Sequence, residues 1–244
     1  MGSILPIADQ EQRRSQSQPT KIRKIPTEKE LSAILQTFNT WAFKREQPSD
    51  LPLLRRCIAR AVMKAEKLSF VMYWGKGPRS QIAGPDLQCL EYLASLAARV
   101  KTAYSRGVNF ELVLTDTHAS LNGHSTTAVT SYFADVEHEA MARGFSCYLL
   151  SEISRASASH IALETCKAPS DDVLQRLVSS AERWYRGDGH ALDGARKYYQ
   201  MNMVERQAIE HFFPASVFAT FNGSEQRDLF PQNLPIFYMY SMRR

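Results

Sequence analysis

The 244-residue chain has no run near the roughly 18 consecutive apolar residues of a membrane span, and its polar first twenty residues lack the apolar stretch of a signal peptide. Both absences point to a cytoplasmic protein with no membrane partner. Cysteine is scarce: Cys57, Cys89, Cys147 and Cys166 lie far apart with no C-x-x-C pair. That spacing excludes a zinc ribbon and a thioredoxin-like motif and reads as reduced thiols of the core. Neither G-x-x-x-x-G-K-[ST] nor G-x-G-x-x-G occurs, so no nucleotide cofactor is implied. There is no internal repeat, and the clustered basic and aromatic pattern of a dedicated nucleic-acid surface is missing.

What is present is an ordinary globular composition, 44% hydrophobic and 23% charged, enough for one domain with a sizeable core. The net charge is +5 and the pI about 9.0. Part of that excess sits in Arg13, Arg14, Lys21, Arg23 and Lys24, interleaved with Ser and Gln and without apolar periodicity. Residues 1–25 therefore read as a disordered basic arm, and 26–244 as the folded domain.

Thr27 and Glu30 have the spacing of a capping box before Leu31, Ile34, Leu35 and Phe38, which predicts a helix to about Ala42. Ser49-Asp50-Leu51-Pro52 opens a second, with Leu54, Ile58, Val62 and Ala65 at helical spacing. A strand from Leu68 to Tyr73 follows, then the turn Tyr73-Trp74-Gly75-Lys76-Gly77-Pro78-Arg79-Ser80. A long helix runs from Pro85 to near Gly107, a strand from Val108 to Leu114, a loop from Thr115 to His124, a helix from Thr126 to Arg143 and a strand from Phe145 to Leu150. Residues 152–168 are ambiguous. Helices near 170–186 and 191–211 precede late strands at 216–221 and 235–241. Alternation of strand and helix, with crossovers of the length that parallel pairing needs, predicts a Rossmann-like α/β sheet, mostly parallel.

In such a sheet, ligands bind outside the carboxyl ends of the strands. Two loops of unusual chemistry lie there. In the first, Lys76 and Arg79 are flanked by glycines, Gly75 among them, that let backbone approach a ligand, and the next helix offers free amides at its positive end. This combination suits a phosphate or a carboxylate. The second loop offers Asp116, His118, Asn122 and His124, a carboxylate beside imidazoles suited to proton transfer near neutral pH. A metal held by Asp116, His118 and His124 is a weaker reading, since Asp-x-His spacing is common. Tyr198, Asn202 and Glu205 form one polar stripe at i, i+4 and i+7 of a late helix, either a pocket wall or a solvated face.

Taken in order, LSFVMYWGKGPRS, GPDLQCLEYLASLAARVKTAYSRGVNFELVLTD and the late FFPASVFATF and LPIFYMYS resemble the isocyanide (isonitrile) synthase family, which includes tyrosine and tryptophan isonitrile synthases. Lys76, Pro85, Asp86, Tyr104, Gly107 and Asp116 fall on that family's positions. The resemblance implies a Rossmann-like fold and a synthase acting on the α-amino group of an amino acid, with a pentulose phosphate supplying the isonitrile carbon. It makes Lys76 the basic group of the site and Asp116 a polar anchor. A second resemblance is to the cyclodipeptide synthases, which use charged tRNA; the basic arm and the strand-ending Asp116 fit it. That family's nucleophilic Ser and its Tyr and Glu four apart are not matched, because Tyr198 and Tyr199 are followed four residues on by Asn202 and Met203. The sequence thus predicts a small biosynthetic enzyme of secondary metabolism with amino-acid and sugar-phosphate substrates. Its alternatives are a tRNA-dependent aminoacyl transferase and a non-catalytic module that binds an amino acid or anion.

Overall fold

The computed structural model describes residues 25–75, 79–161, 168–184 and 190–240. The basic arm, apart from Ile25, lies outside the described residues, as do Lys76 and Cys166. Two helices lead the described residues. α1 (Glu28–Phe38) starts where Thr27 accepts the Glu30 amide at 3.2 Å, and α2 (Leu51–Lys64) where Asp50 accepts the Leu53 amide at 2.7 Å, as their sequences predict. Then come β1 (Leu68–Trp74), α3 (Gly84–Ala103), β2 (Val108–Leu114), α4 (Asp116–Leu121), α5 (Thr126–Ala142), β3 (Ser146–Leu149) and α6 (Leu150–Ala156). After a 3-10 turn at Ala158–His160 the chain forms α7 (Asp171–Trp184), α8 (Ala191–Phe212), β4 (Val217–Thr220), a second 3-10 turn (Ser224–Leu229) and β5 (Ile236–Tyr238).

Among the described residues the sheet has five strands in the order β3-β2-β1-β4-β5, all parallel. This is the expected α/β class. β1 pairs with β2 from Leu68–Val108 to Trp74–Leu114 and, on its other edge, sets Phe70 and Val71 against Val217 and Phe218. Two details differ from expectation. The second loop begins as the short helix α4, and the ambiguous stretch after 152 continues the helix that starts at Leu150.

Strand alternation divides the core between the two faces of the sheet. Phe70, Met72, Phe110, Leu112 and Cys147 point toward α1, α2, α3 and α5, whereas Val71, Val113, Tyr148 and Phe218 point toward α6, α7 and α8. An aromatic cluster centres the first face. Phe38 meets Phe70 and Phe237 edge-on at 5.3 Å, and Phe70 meets Phe110 at 5.5 Å. Phe38 is fully buried, so Phe38→Ala should destabilise the protein by about 3–5 kcal/mol, read from urea denaturation.

Cys57, Cys89 and Cys147 are free thiols. Burial pushes Cys57 up to about 11, Cys89 up to about 12 and Cys147 upward as well. In a Cys166→Ser variant, all three should therefore react slowly with a thiol reagent at pH 8 and rapidly once urea unfolds the chain.

Candidate functional site

The chain lays out β1, β2 and β3 in one direction and returns to place β4 against the other edge of β1. Successive crossovers consequently part at the carboxyl end of β1, where parallel sheets leave a crevice. The ends of β1 and β2 are tied there, because Thr115 donates to the Trp74 carbonyl through its amide at 3.0 Å and its hydroxyl at 3.2 Å.

Three cavities bordered by described residues lie around this edge. The first, about 300 Å³, is bordered by Gly75, Thr115, His118, Asn122 and Tyr198, with Val173 and Leu177 of α7 on its apolar side. The second, about 570 Å³, lies between β1, β4 and the start of α3 and is bordered by Trp74, Gly75, Arg79, Asp86, Gln88 and Asn222. Gly75 belongs to both. The third, about 540 Å³, lies among α4, α5 and α6, bordered by Asp116, Ser120, His124 and Glu152.

Behind the wall of the first cavity, reached through His118, lies a tight polar arrangement. Glu205 of α8 is buried, and its two oxygens are taken by residues of α4: His118 Nε2 at 2.6 Å and Thr117 Oγ1, which donates at 2.6 Å. His118 is itself nearly covered, standing edge-on to Tyr198 at 5.2 Å and tilted against Tyr73 at 6.0 Å. Asn202, one turn from Tyr198, is buried and donates to the Tyr198 carbonyl at 2.8 Å. Asn202 and Glu205 of the α8 stripe therefore face the protein interior, and Tyr198 borders the first cavity. A carboxylate on Nε2 fixes the imidazole's orientation and leaves Nδ1 to accept a proton.

Asp116 and His118 do not converge. Residues two apart on a helix point to different sides, and α4 directs His118 toward the first cavity and Asp116 toward the third. Asp116 instead accepts the Ser151 amide at 3.0 Å, anchoring the start of α6, and His124 borders the third cavity with it. Among the described residues no three His, Cys, Asp or Glu side chains gather as a metal site would need.

Arg79 reaches the second cavity already paired. Its Nη2 lies 2.9 Å from Asp86, which also accepts the Ala83 amide at 2.9 Å and the Tyr132 hydroxyl at 3.1 Å, while Trp74 Nε1 donates to Tyr132. Arg79 Nε has no partner among the described residues. Asp86 thus caps the helix end where the sequence placed free amides. Tyr73, Thr117 and Tyr132 carried no motif; the alternation of β1 distinguishes Tyr73 and the spacing on α5 Tyr132, and no local signal marks Thr117.

No family model matches the sequence, and no curated protein matches it. Solved structures do. The PvcA protein from Pseudomonas aeruginosa superposes with a TM-score of 0.62 at 14% identity, covering 88% of this chain and 84% of that one. The likeness is one of fold. Tyrosyl-tRNA synthetase from Archaeoglobus fulgidus, complexed with L-tyrosine, gives a TM-score of 0.50 at 16% identity; the match takes in 86% of this chain and 62% of the synthetase. No helix among the described residues is long and apolar enough to cross a membrane.

Removing the buried Glu205 carboxylate behind His118 strands Thr117 and His118. Glu205→Ala should lower stability by about 2–3 kcal/mol in urea titration and Glu205→Gln by less, since hydrogen bonds to a charged group are the stronger ones.

Proposed function

We propose that this chain is a small biosynthetic synthase that acts on the α-amino group of an amino acid bound in the first cavity, with a phosphate-bearing co-substrate in the second. The observation that carries the reading is the buried His118–Glu205 pair at the carboxyl edge of the sheet, 2.6 Å apart. An α-ammonium group must lose a proton before its nitrogen can attack a carbon. His118 is the base in this reading: Glu205 holds Nε2, and Nδ1 takes the proton. Thr117 and Tyr198 keep the pair in place, and Asn202 holds the backbone of the wall. Asn122 borders the mouth of the same cavity and contacts substrate there.

Lys76 and Arg79 supply the positive charge for the co-substrate, Arg79 through the Nε donor that Asp86 leaves free. Asp116 serves as the polar anchor that the family resemblance implies, and His124 stands apart from the proton transfer. The fold shared with PvcA agrees with the fold that the isonitrile synthase resemblance implies. A second reading, an aminoacyl transferase that uses charged tRNA, draws support from the tyrosyl-tRNA synthetase likeness.

Untargeted mass spectrometry of cells with and without the gene tests the reading. Wild type should yield an amino-acid-derived metabolite, and His118→Ala should reduce its formation by about 10²–10⁴-fold while the variant, though melting lower, stays folded at the assay temperature by circular dichroism. Ribonuclease sensitivity of product formation in lysate would favour the transferase. No new metabolite, together with calorimetric binding of an amino acid, would leave a binding module.

A further inference from the structure

Among the described residues that border the first cavity, Arg176 of α7 is the one arginine or lysine. Val173, Arg176 and Leu177 share one face of α7 at i, i+3 and i+4, so the helix that supplies the apolar side of the cavity also carries its positive charge. The guanidinium is held from two sides. Its Nη1 donates to the Glu225 carbonyl at 2.6 Å, in the 3-10 turn that borders the same cavity through Gln226 and Leu229, and its Nη2 lies 3.1 Å from Asp172. Asp172 is exposed, so that ion pair holds it weakly. Arginine has five N–H donors in a planar fork, and the remainder are open to a further acceptor. Two acids border the cavity as well. The Glu225 carboxylate accepts the Gly223 amide at 3.3 Å and lies 4.0 Å from Arg45, and Asp228 is exposed to water.

A free amino acid brings an ammonium and a carboxylate to one carbon. His118 takes the proton of the first, and Lys76 and Arg79 serve the co-substrate, which leaves Arg176 as the cation for the second. We propose that Arg176 is a specificity-determining residue of the first cavity, its guanidinium binding the substrate's α-carboxylate and so selecting a free amino acid over one whose carboxyl group is esterified to a carrier. The inference rests on the amino-acid reading above. A guanidinium matches a carboxylate in planar, charge-assisted pairs, whereas an ester or amide presents a single neutral carbonyl. With the carboxylate on Arg176, Val173, Leu177 and Leu229 offer apolar surface to the side chain, and the amino group is left for His118. The same contact separates the two readings of function, because an amino acid carried on tRNA has no α-carboxylate to offer.

The test starts from thermal shifts of the full chain with the twenty standard amino acids, followed by calorimetry of each binder against its α-amide and its methyl ester. In wild type the free acid should bind about 10–100-fold more tightly than either, the scale of hydrogen bonds to a charged group. Arg176→Gln should bring that ratio close to one, with a Tm within about 2–4 °C of wild type because the side chain's ion pair is exposed. Arg176→Lys keeps the charge without the fork and should hold a ratio above that of Arg176→Gln. An amide or ester that binds wild type as tightly as the acid, a preference that survives in Arg176→Gln, or equal ratios in the two variants overturns this inference and leaves the amino-acid reading standing. A larger fall in Tm would assign Arg176 to the fold and likewise overturn it. If none of the twenty binds wild type, both fall.

Discussion

β1 has β2 along one edge and β4 along the other, and its two faces carry different helix layers. A strand enclosed on four sides leaves its backbone groups no partner but the neighbouring strands, so register there is strongly constrained. Phe70 shows the constraint most directly: it is fully buried, opposite Phe110 and Val217 in the sheet, with Phe38 and Phe237 packed on it. Where β1 ends is therefore fixed to within a residue. That end carries Tyr73, Trp74 and Gly75, and through the Thr115–Trp74 bonds it also fixes where α4 begins.

From there the geometry of the cleft follows. α4 has six residues and begins immediately after β2, so the direction of His118 is set by the strand rather than by a loose loop. Glu205 arrives from the opposite side on a helix of 22 residues. A buried carboxylate with both oxygens occupied is a strong constraint on its donors, since losing either leaves charge uncompensated in a poorly hydrated place. The pair therefore clamps α8 to the edge of the sheet as well as shaping the cavity.

Much of the architecture could be read from residues. The spacing of Leu31, Ile34, Leu35 and Phe38 with Thr27 in front, and the run Leu68 to Met72, are local patterns whose cause lies within a few positions. The site was legible only in pieces. His118, Tyr198, Asn202 and Glu205 each stood out, yet nothing local says that Glu205 turns inward, because its partner is 87 positions away. Asp116 and His118 looked like neighbours on a loop. A helix too short to show periodicity separated them, since a turn of about 100° per residue sends i and i+2 to different cavities. Arg79 read as a free cation because its partner Asp86 doubles as the cap of the following helix.

Gly75 borders the first and second cavities alike. A methyl group there would sit 3.8 Å from Thr115 Oγ1, an ordinary contact, so the backbone does not demand glycine at this point. Two chambers thus share one stretch of bare backbone as a common wall. Anything longer than alanine would take its room from one chamber or the other.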